Sequence, residues 1–414
     1  MLSSGSIRVL AILAVILTAA SGVWASSEKV IHSFLGGRDG NDPAAGVMFI
    51  NGDMYGTTSS GGRYYAGTVY ELKHSRAGWK EATLYQFTGG DDGARPFGAL
   101  VADKSGNLYG TTWGGGKYGR GGYGYGTVFE LSPKSDGSWQ ETVLYNFCSL
   151  SGCADGAYPY AGLAWDGAGN LYGTTFYPEG TVFQLSPSKT GWMLNTIFNF
   201  QGSGAYSPIS PVLVDGHSNL YGTASYGTEC NLCGVVFELS PSGGSWSFAI
   251  LYEFTDGADG GAPVGRLIMD GQGNLYGTAA STGTTQCLYQ GAGCGVVFEL
   301  SPGGDSSWTE TVLYSFTGSN DGSYANSIVF DGKGNLYGTT ERGGTGRCQL
   351  GCGTVFGLTQ SGGIWKEGLL YSFTGQSGFE PQHGALTTDQ SGRLYGTTFL
   401  GGKINHGVVY RFVP

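Results

Sequence analysis

The sequence predicts an all-β fold, a seven-bladed β-propeller with four antiparallel strands in each blade. One observation is a strand motif, typified by GNLYGTT at Gly106–Thr112, that recurs seven times. Another is the repeat length of about 50 to 60 residues with four β-rich runs in each unit, which is typical of propeller blades. A third is that one strand of the last unit is found at the start of the chain. The motif tyrosines are Tyr55, Tyr109, Tyr172, Tyr221, Tyr276, Tyr337 and Tyr395.

The first 25 residues precede the repeats and have the pattern of a secretory signal peptide. Arg8 is followed by an apolar run, Val9–Val23, and the small residues Val23 and Ala25 stand where signal peptidase reads, which predicts cleavage after Ala25. The alternative is an uncleaved N-terminal anchor, although the run is short for a membrane span. We expect residues 26–414 to form a single propeller domain without membrane insertion.

One complete unit shows the four strands in order. In residues 326–373, a turn at Asp331–Gly334 joins the first two strands, and a variable loop leads to the third, Gly353–Thr359. The fourth strand begins at Trp365 and ends at Phe373. Its equivalents begin at Trp79, Trp139, Trp192, Trp246 and Trp308 and end at Phe87, Phe147, Phe200, Phe254 and Phe316. The predicted blades are residues 45–87, 97–147, 161–200, 210–254, 265–316, 326–373 and 384–412, the last completed by 29–34.

The two ends of the chain predict that the ring of blades is closed. The final unit has three strands, and its missing fourth strand matches VIHSF, Val30–Phe34, near the start of the chain. Pairing of these two segments would leave no exposed strand edge, whereas an open stack of repeats would need polar caps. We therefore expect Val30–Phe34 to pair with Gly407–Phe412.

The residues of the recurring motif have packing explanations. Its leucine and tyrosine supply apolar bulk to the two faces of a blade. Its glycine leaves room where a neighbouring group comes close. Its threonines are expected to tolerate a partly wet strand end.

Eight cysteines fall into four close pairs, and an even count after an export signal predicts disulfides that stiffen loops. The spacing Cys230-x-x-Cys233 is also compatible with a redox motif or half of a zinc site, but no histidine lies nearby in a ligand pattern. The predicted disulfides are Cys148–Cys153, Cys230–Cys233, Cys287–Cys294 and Cys348–Cys352.

The charge balance disfavours some classes of partner. The chain has 21 Lys and Arg residues against 31 Asp and Glu residues, a net charge of −10, and no basic cluster. An acidic surface disfavours nucleic acids and anionic membranes. Together with the signal peptide, this predicts a monomeric protein that is secreted or is located in the periplasm or cell envelope.

Three sequence elements together resemble a known family. GNLYGTT, GTVFELSP at Gly126–Pro133 and ETVLYSFTG at Glu310–Gly318 are similar to the Gloeo/Verruco (GloVer) tandem-repeat proteins of bacteria. The matching elements cover essentially the whole chain after the signal peptide. The resemblance implies an exported, propeller-like repeat protein and brings no catalytic residues with it. Many such proteins end in a sorting or anchoring segment, which is not found before Pro414, so surface anchoring is not expected.

Two sets of aspartates recur with the repeat. The loop after the fourth strand carries Asp-Gly in five units, and such carboxylates could hold a structural calcium ion. An Asp-Gly turn that caps its own backbone explains the repetition without a ligand, so we expect no cofactor. These residues are Asp39, Asp92, Asp155, Asp259 and Asp321. The second set begins the hairpin between the first two strands, and turn chemistry explains it: Asp103, Asp166, Asp215, Asp270, Asp331 and Asp389.

Aromatic residues are concentrated in the variable loops between second and third strands. These loops share one face of the ring with the loops that join successive blades, and variable loops on a rigid scaffold usually carry binding residues. Exposed aromatic rings beside glycines suit stacking on sugar rings or gripping a peptide. The alternative is that they cover the blades and one another. The candidates are Tyr64, Tyr65, Trp113, Tyr118, Tyr123, Tyr125, Tyr177, Tyr226 and Tyr289.

No catalytic motif is evident. The sequence lacks Gly-x-Ser-x-Gly, His-Glu-x-x-His and a phosphate-binding loop, and the one conceivable histidine cluster joins His383 and His406 to His32 through ring closure. We expect a module that binds a glycan or a protein through the loop-bearing face. The alternatives are an extracellular propeller enzyme, such as a polysaccharide lyase or hydrolase, and a structural envelope protein.

Overall fold

Seven antiparallel sheets follow one another along the chain and form the seven blades of a β-propeller, as the repeat predicts. The structure is a computed structural model that describes residues 27–120, 123–227, 230, 232–283, 294–305, 307–382 and 384–414. In most blades the innermost strand is short and the other three are longer. The single helical segment in these described ranges is a 3₁₀ turn at Ser151–Cys153.

In blades 1 to 4 the chain runs from the innermost strand to the outermost. Blade 1 contains Met48–Ile50, Asp53–Thr58, Thr68–Ser75 and Gly78–Gln86, and blade 2 contains Val101–Ala102, Leu108–Thr112, Thr127–Pro133 and Trp139–Asn146. Blade 3 contains Ala164–Trp165, Leu171–Thr175, Thr181–Ser188 and Gly191–Asn199, and blade 4 contains Leu213–Val214, Leu220–Ala224, Val235–Ser242 and Ser245–Glu253.

The remaining three blades have the same four strand positions from the centre to the rim. Blade 5 contains Ile268–Met269, Leu275–Ser281, Val296–Pro302 and Trp308–Ser315, and blade 6 contains Ser323–Phe330, Leu336–Arg342, Thr354–Ser361 and Ile364–Ser372. Blade 7 contains Thr387–Thr388, Leu394–Thr398, Val408–Val413 and Ser27–Ser33. Short loop strands are Gly119–Arg120 paired with Tyr123–Gly124, Ala205–Tyr206 paired with Tyr226–Gly227, and Gly261–Pro263, which pairs within blade 5.

The N-terminal strand closes the ring, which confirms the predicted pairing of the two chain ends. Ser27–Ser33 runs antiparallel to Val408–Val413. Phe34 then donates its backbone N–H to the carbonyl of Gly407 at 3.1 Å, and its side chain is fully buried. Blade 7 therefore takes three strands from one end of the chain and its outermost strand from the other.

The glycine of the recurring motif makes room for an aromatic ring of the adjacent third strand. Gly338 lies opposite Phe356 in the strand register, and a Cβ atom at Gly338 would be 2.5 Å from the Phe356 ring. The other rings facing a motif glycine are Tyr70, Phe129, Phe183, Phe237, Phe298 and Tyr410. All seven rings are fully buried, so the recurring glycine is a requirement of core packing.

The threonines of the motif are buried, so the expected partly wet strand end was wrong. Most of their hydroxyls are hydrogen-bonded, and those of Thr278 and Thr339 have no partner among the described residues. Thr112 Oγ1 and Thr127 Oγ1 are 2.8 Å apart within blade 2. Thr111 Oγ1 donates to a backbone carbonyl of blade 3 at 2.8 Å, and Thr397 Oγ1 donates to one of blade 1 at 2.9 Å. These four hydroxyls have partners, as most buried polar groups do, and the second kind of bond links neighbouring blades.

Alanine at Gly338 is expected to lower the free energy of unfolding by about 3 kcal/mol, because the buried Phe356 ring has no free space to move into. Gly332, in the hairpin of the same blade, is the matched control. A Cβ atom there meets no atom within 4 Å, so Gly332→Ala should change stability by less than about 0.5 kcal/mol. Urea denaturation of both variants measures the difference, and equal losses would contradict the packing explanation.

Candidate binding face at the mouth of the channel

The loops between blades meet the loops within blades on one face of the ring, which we call the loop face. Each loop between blades forms a bridge or short ladder with the end of the next blade's second strand or the loop after it. The bridged pairs are Asn41–Ser60, Ala94–Gly114, Ala157–Tyr177, Tyr206–Tyr226, Gly261–Ser281, Ser323–Arg342 and Phe379–Leu400. The loop face is therefore braced all around the ring.

Seven residues in the left-handed backbone region surround the channel mouth on the loop face, and we call them the mouth ring. Each stands where the chain passes from a loop between blades to an innermost strand, and Tyr324 is already the second residue of the innermost strand of blade 6. They have φ between 48° and 61° and are Asp42, Arg95, Tyr158, Ser207, Ala262, Tyr324 and Glu380. None is glycine, although other residues rarely adopt this conformation. The same strained backbone position therefore carries a different side chain in each blade, which points to a functional surface.

Backbone hydrogen bonds hold the mouth ring from both sides. Tyr158 donates its N–H to the carbonyl of Tyr125 at 2.8 Å and accepts from the N–H of Phe176 at 3.2 Å. Arg95 is held in the same way by bonds of 2.8 and 3.0 Å to the loops of blades 1 and 2. Because the loops of two blades meet at each position, the scaffold fixes the backbone position of each mouth-ring residue.

Aromatic and basic side chains of blades 1 to 3 form one cluster on the loop face. The rings of Trp113 and Tyr158 stack with their centroids 4.9 Å apart. The rings of Tyr125 and Tyr177 lie 5.5 and 6.1 Å from that of Tyr158, and the guanidinium carbon of Arg95 is 5.6 Å from the Trp113 ring centroid. We call the following set the aromatic cluster: Tyr65, Arg95, Trp113, Tyr125, Tyr158 and Tyr177.

A cavity of about 310 Å³ opens within the aromatic cluster and is lined by Tyr65, Arg95, Trp113 and Tyr158. Tyr65 is 82% exposed, yet its backbone is held in the left-handed region with φ of 58°. An aromatic ring this exposed adds little to the core, because it stays in contact with water. The cavity therefore has one ring that is free to contact a ligand.

The other side of the mouth ring holds a pair of carboxyl groups. Burial raises the pKa of Glu341, the neighbouring Arg342 opposes that shift, and the charge of Glu380 adds to it. Arg342 Nε lies 3.2 Å from Glu341 Oε1, and burial also raises the pKa of Glu380. The Arg342 guanidinium lies 4.6 Å from the Tyr324 ring centroid. The mouth is therefore aromatic and basic at blades 1 to 3, whereas two carboxyl groups and one arginine stand at blades 6 and 7.

The remaining predicted aromatic residues lie elsewhere. Tyr226 stacks on Tyr206 at 5.2 Å in blade 4, outside the aromatic cluster. Tyr64 and Tyr118 are 50% and 38% exposed and are not among the described residues that line the cavity. Two predicted positions fall outside what the structure describes, namely Tyr289 and the side chain of Tyr123.

The Asp-Gly carboxylates accept hydrogen bonds from their own turns. Asp92 accepts from the backbone N–H of Thr88 at 2.8 Å and from the hydroxyl of Tyr85 at 2.9 Å. Backbone N–H groups of the same turn also bind Asp39, Asp155, Asp259 and Asp321. Turn chemistry therefore accounts for their repetition. Within the described ranges, no group of three or more potential metal ligands is found.

Three of the predicted disulfides are present, at Cys148–Cys153, Cys230–Cys233 and Cys348–Cys352. Cys294 is also disulfide-bonded, and its predicted partner Cys287 lies outside the described residues. The three pairs lie in loops, which they brace locally.

The conceivable histidine cluster is described only in part. His32 Nε2 lies 3.6 Å from Asp39 Oδ2, and burial lowers the pKa of His32. His383 lies outside the described residues.

Arg95 and Tyr158 complete the aromatic cluster, and sequence reasoning missed both. Each stands before a proline, and an x-Pro pair recurs at the same place in six of the seven units. That recurrence is the signal from which the mouth ring could have been located.

The fold and the loop face define a propeller repeat protein with variable loops braced on one face. The chain belongs to the Gloeobacter/Verrucomicrobia repeat family, whose model matches residues 22–177, 120–346 and 283–414. A comparison with curated proteins gave no match. Among the described residues, no helix is long and apolar enough to cross a membrane.

Several solved structures share the fold at low sequence identity. PorZ, a surface component of the type-IX secretion system of Porphyromonas gingivalis, is 14% identical with a TM-score of 0.53. The match covers 90% of this chain and 46% of PorZ, so the chain spans less than half of that protein. A PL25 polysaccharide lyase, an ulvan lyase, is 11% identical with a TM-score of 0.53 over 90% of this chain and 93% of the lyase. The same enzyme family has been solved with -[GlcA(1-4)Rha3S]- bound.

Proposed function

We propose that this protein is an exported glycan-binding module whose ligand lies on the aromatic cluster of the loop face. The observation that carries the proposal is the mouth ring, a strained backbone position filled by varied residues other than glycine. Two of its members, Arg95 and Tyr158, join Trp113 and the exposed Tyr65 around one cavity.

The chemistry of the aromatic cluster suits a sugar. A sugar ring has C–H faces that an aromatic ring can cover, and hydroxyls that a tyrosine hydroxyl or a guanidinium can bind. The cavity, about 310 Å³, is at the lower end of the range for ligand pockets, which is about 300–1,000 Å³. This size suits a short stretch of a glycan chain. A protein ligand would bury a much larger and flatter area.

The structural likenesses support the proposal at the level of the scaffold. The ulvan lyase, with the same overall fold, acts on a polysaccharide, and PorZ is a surface component. Because fold does not transfer function between propellers, the site is argued from the residues of this chain.

Export to an oxidising compartment agrees with the disulfides and with the family, since such bonds persist outside the cytosol. We place the protein outside the cell or in the cell envelope, acting as a monomer.

Polysaccharide binding by residues 26–414 tests the proposal. A panel of xylan, mannan, polygalacturonate, alginate and ulvan is screened by affinity electrophoresis, and a binder is then titrated by tryptophan fluorescence. Tyr65→Ala and Trp113→Ala are each expected to weaken binding at least about ten-fold, the usual loss when an aromatic anchor is truncated. Tyr65→Ala should leave the urea midpoint unchanged, because the side chain is 82% exposed.

Ile364→Ala is the matched control, since it removes a side chain that is 66% exposed in a hairpin on the face opposite the loops. It should bind as the unmodified protein does. Absence of binding across the panel would contradict the proposal, as would equal binding by Tyr65→Ala and the unmodified protein.

The carboxyl pair at blades 6 and 7 favours a second candidate, a polysaccharide-cleaving enzyme. Burial raises the pKa values of Glu341 and Glu380, and such shifts are typical of general acids and bases. The same panel distinguishes the two candidates. Release of shorter saccharides by the unmodified protein, abolished by Glu341→Gln, would favour the enzyme, whereas binding without release favours the binding module.

A further inference from the structure

Arg266 is a charged residue at a position where the other blades have small residues or proline. In blade 5 the buried aliphatic residue that leads into the innermost strand is Leu267, and Arg266 stands immediately before it. The equivalent residues of the other blades are Gly46, Ala99, Gly162, Pro211, Ser327 and Ala385. All of them except Gly46 line the same channel cavity as Arg266. Blade 5 alone therefore places a long cationic side chain at this point.

The Arg266 guanidinium has no partner among the described residues. None of the ion pairs includes it, and the side-chain hydrogen bond described at this residue is donated by its backbone N–H, to Ser327 Oγ at 3.2 Å. The residue is exposed to water in the channel, although the surrounding walls lower the pKa of its guanidinium. Because no described residue pairs with this guanidinium, its N–H donors remain available to a ligand that enters the channel.

The rest of the cavity is neutral and small. Its volume is about 100 Å³, and its lining includes Phe97, Tyr160, Val264 and Asn326 but no acidic residue among those described. Phe97 and Tyr160 stack on each other at 4.9 Å. The charge of Glu341 acts on Tyr160, but that carboxylate is already paired with an arginine.

We infer that the central channel is an oxyanion-binding site in which the Arg266 guanidinium holds a carboxylate or sulfate group. A guanidinium presents parallel N–H donors that match two oxygens of such a group, and the low-dielectric walls strengthen the attraction. The cavity has room for one such group. The group is either a free small anion or an acidic substituent of a sugar, and the site does not depend on the aromatic cluster.

Thermal unfolding in matched salts tests the site. The full mature chain is heated in sodium acetate, glucuronate or sulfate against sodium chloride at equal ionic strength. We expect a saturable rise of about 2–3 °C over chloride at concentrations near one hundred times Kd. A rise with acetate and sulfate identifies a free anion, whereas a rise with glucuronate alone identifies an acidic sugar.

Arg266→Met should abolish the anion-dependent rise and, because an unpartnered charge is removed, melt in chloride at the same or a higher temperature than the unmodified protein. Arg266→Lys keeps the charge without the paired donors and should retain a weaker response. Isothermal titration calorimetry measures binding of the same anions to the unmodified protein, so this test does not depend on whether a variant folds. Absence of a saturable anion response there, or an equal response in Arg266→Met, would overturn the inference.

Discussion

A chain that begins at residue 35, and so lacks the closing strand, is expected to lose cooperative folding. The deletion removes Ser27–Ser33 from blade 7 and exposes the edge of Val408–Val413, where Tyr410 and Phe412 are fully buried. It also removes Phe34, whose loss alone should cost about 3–5 kcal/mol. The free energy of unfolding of a protein is about 5–15 kcal/mol in total. The combined loss from the deleted strand and from Phe34 therefore approaches or exceeds that value. Urea denaturation and size-exclusion chromatography measure the outcome.

Two point variants in the same segment calibrate this result. Phe34→Ala should lower the free energy of unfolding by about 3–5 kcal/mol. Lys29→Ala, at an exposed position of the same strand, should change it by less than about 0.5 kcal/mol. If the shortened chain unfolds at the urea midpoint of the full chain, ring closure is not what holds blade 7 together.

A second large effect is expected from acidic groups between the outermost strands of neighbouring blades. Tyr85 of blade 1 donates its hydroxyl to Asp92 at 2.9 Å, and Glu141 of blade 2 lies close enough for its charge to act on Tyr85. Burial, helped by the charge of Asp92, raises the pKa of Glu141 to about 7. Two further interfaces repeat the arrangement, with pKa values of about 7 at the glutamates: Tyr252–Asp259–Glu310 and Tyr314–Asp321–Glu367.

Stability is therefore expected to fall as the pH rises from about 5 to 8. A carboxyl whose pKa is about 7 in the folded chain and 4.5 when unfolded binds its proton more tightly in the folded state. That stabilisation is fully present below about pH 4.5 and is lost as the pH rises through 7. Because the glutamates are half-exposed, solvent screening limits the effect to about 1 kcal/mol for each of the three. Urea midpoints across this pH range measure the sum.

Other groups shape the ends of the profile. Hydrogen bonds lower the pKa values of four hairpin aspartates, against an opposing effect of burial, so their stabilisation is lost below about pH 4: Asp166, Asp270, Asp331 and Asp389. His32, whose pKa burial lowers, opposes the glutamates below pH 6.5. It is one group against these three and four further glutamates whose pKa values burial raises, namely Glu28, Glu81, Glu341 and Glu380. We therefore expect the highest stability near pH 4.5–5.

The triple variant Glu141→Gln, Glu310→Gln, Glu367→Gln should reduce the pH dependence and be more stable than the unmodified protein at pH 8. A glutamine side chain is neutral at every pH, as a protonated glutamate is, so it adds no charge beside the aspartate. Glu253→Gln, at an exposed position, is the control and should keep the full pH dependence. A triple variant with an unchanged profile would show that these carboxyls do not set it.

The chain itself contains a neutral version of this interface. At the position of Glu141, blade 4 has Phe248, which stacks at 4.1 Å on Phe198 of blade 3. The loop between these blades lacks the Asp-Gly pair. At the interface between blades 3 and 4, aromatic packing therefore takes the place of the acidic groups found at the other three interfaces.

The fold could be predicted from the sequence because each blade is specified locally. The Tyr-Gly-Thr strand and the Trp-to-Phe strand recur with the same neighbours, and Val30–Phe34 completes the pattern at the other end of the chain. The environment of the motif threonines could not be predicted. Thr111 bonds to a carbonyl of the next blade, and that contact depends on how blades pack face to face.

The candidate site could be predicted only in part. Trp113, Tyr125 and Tyr177 lie in the loops where exposed aromatic residues were expected, and Tyr158 joins them across the boundary between blades. Such a contact depends on the bridging of loops from two units, which no single repeat contains. Arg266 was missed for a related reason, since its importance appears only when the seven equivalent channel positions are compared in space.

Hydrogen–deuterium exchange of the protein with and without a bound polysaccharide tests the central claim most directly. The account predicts slower exchange at residues 93–97, 113–118, 124–126 and 157–160, which carry four of the six members of the aromatic cluster on the loop face. Hairpins of the opposite face, residues 103–107 and 134–138, should exchange at unchanged rates. Slower exchange in those hairpins, with the aromatic cluster unaffected, would contradict the assignment of the loop face as the binding surface.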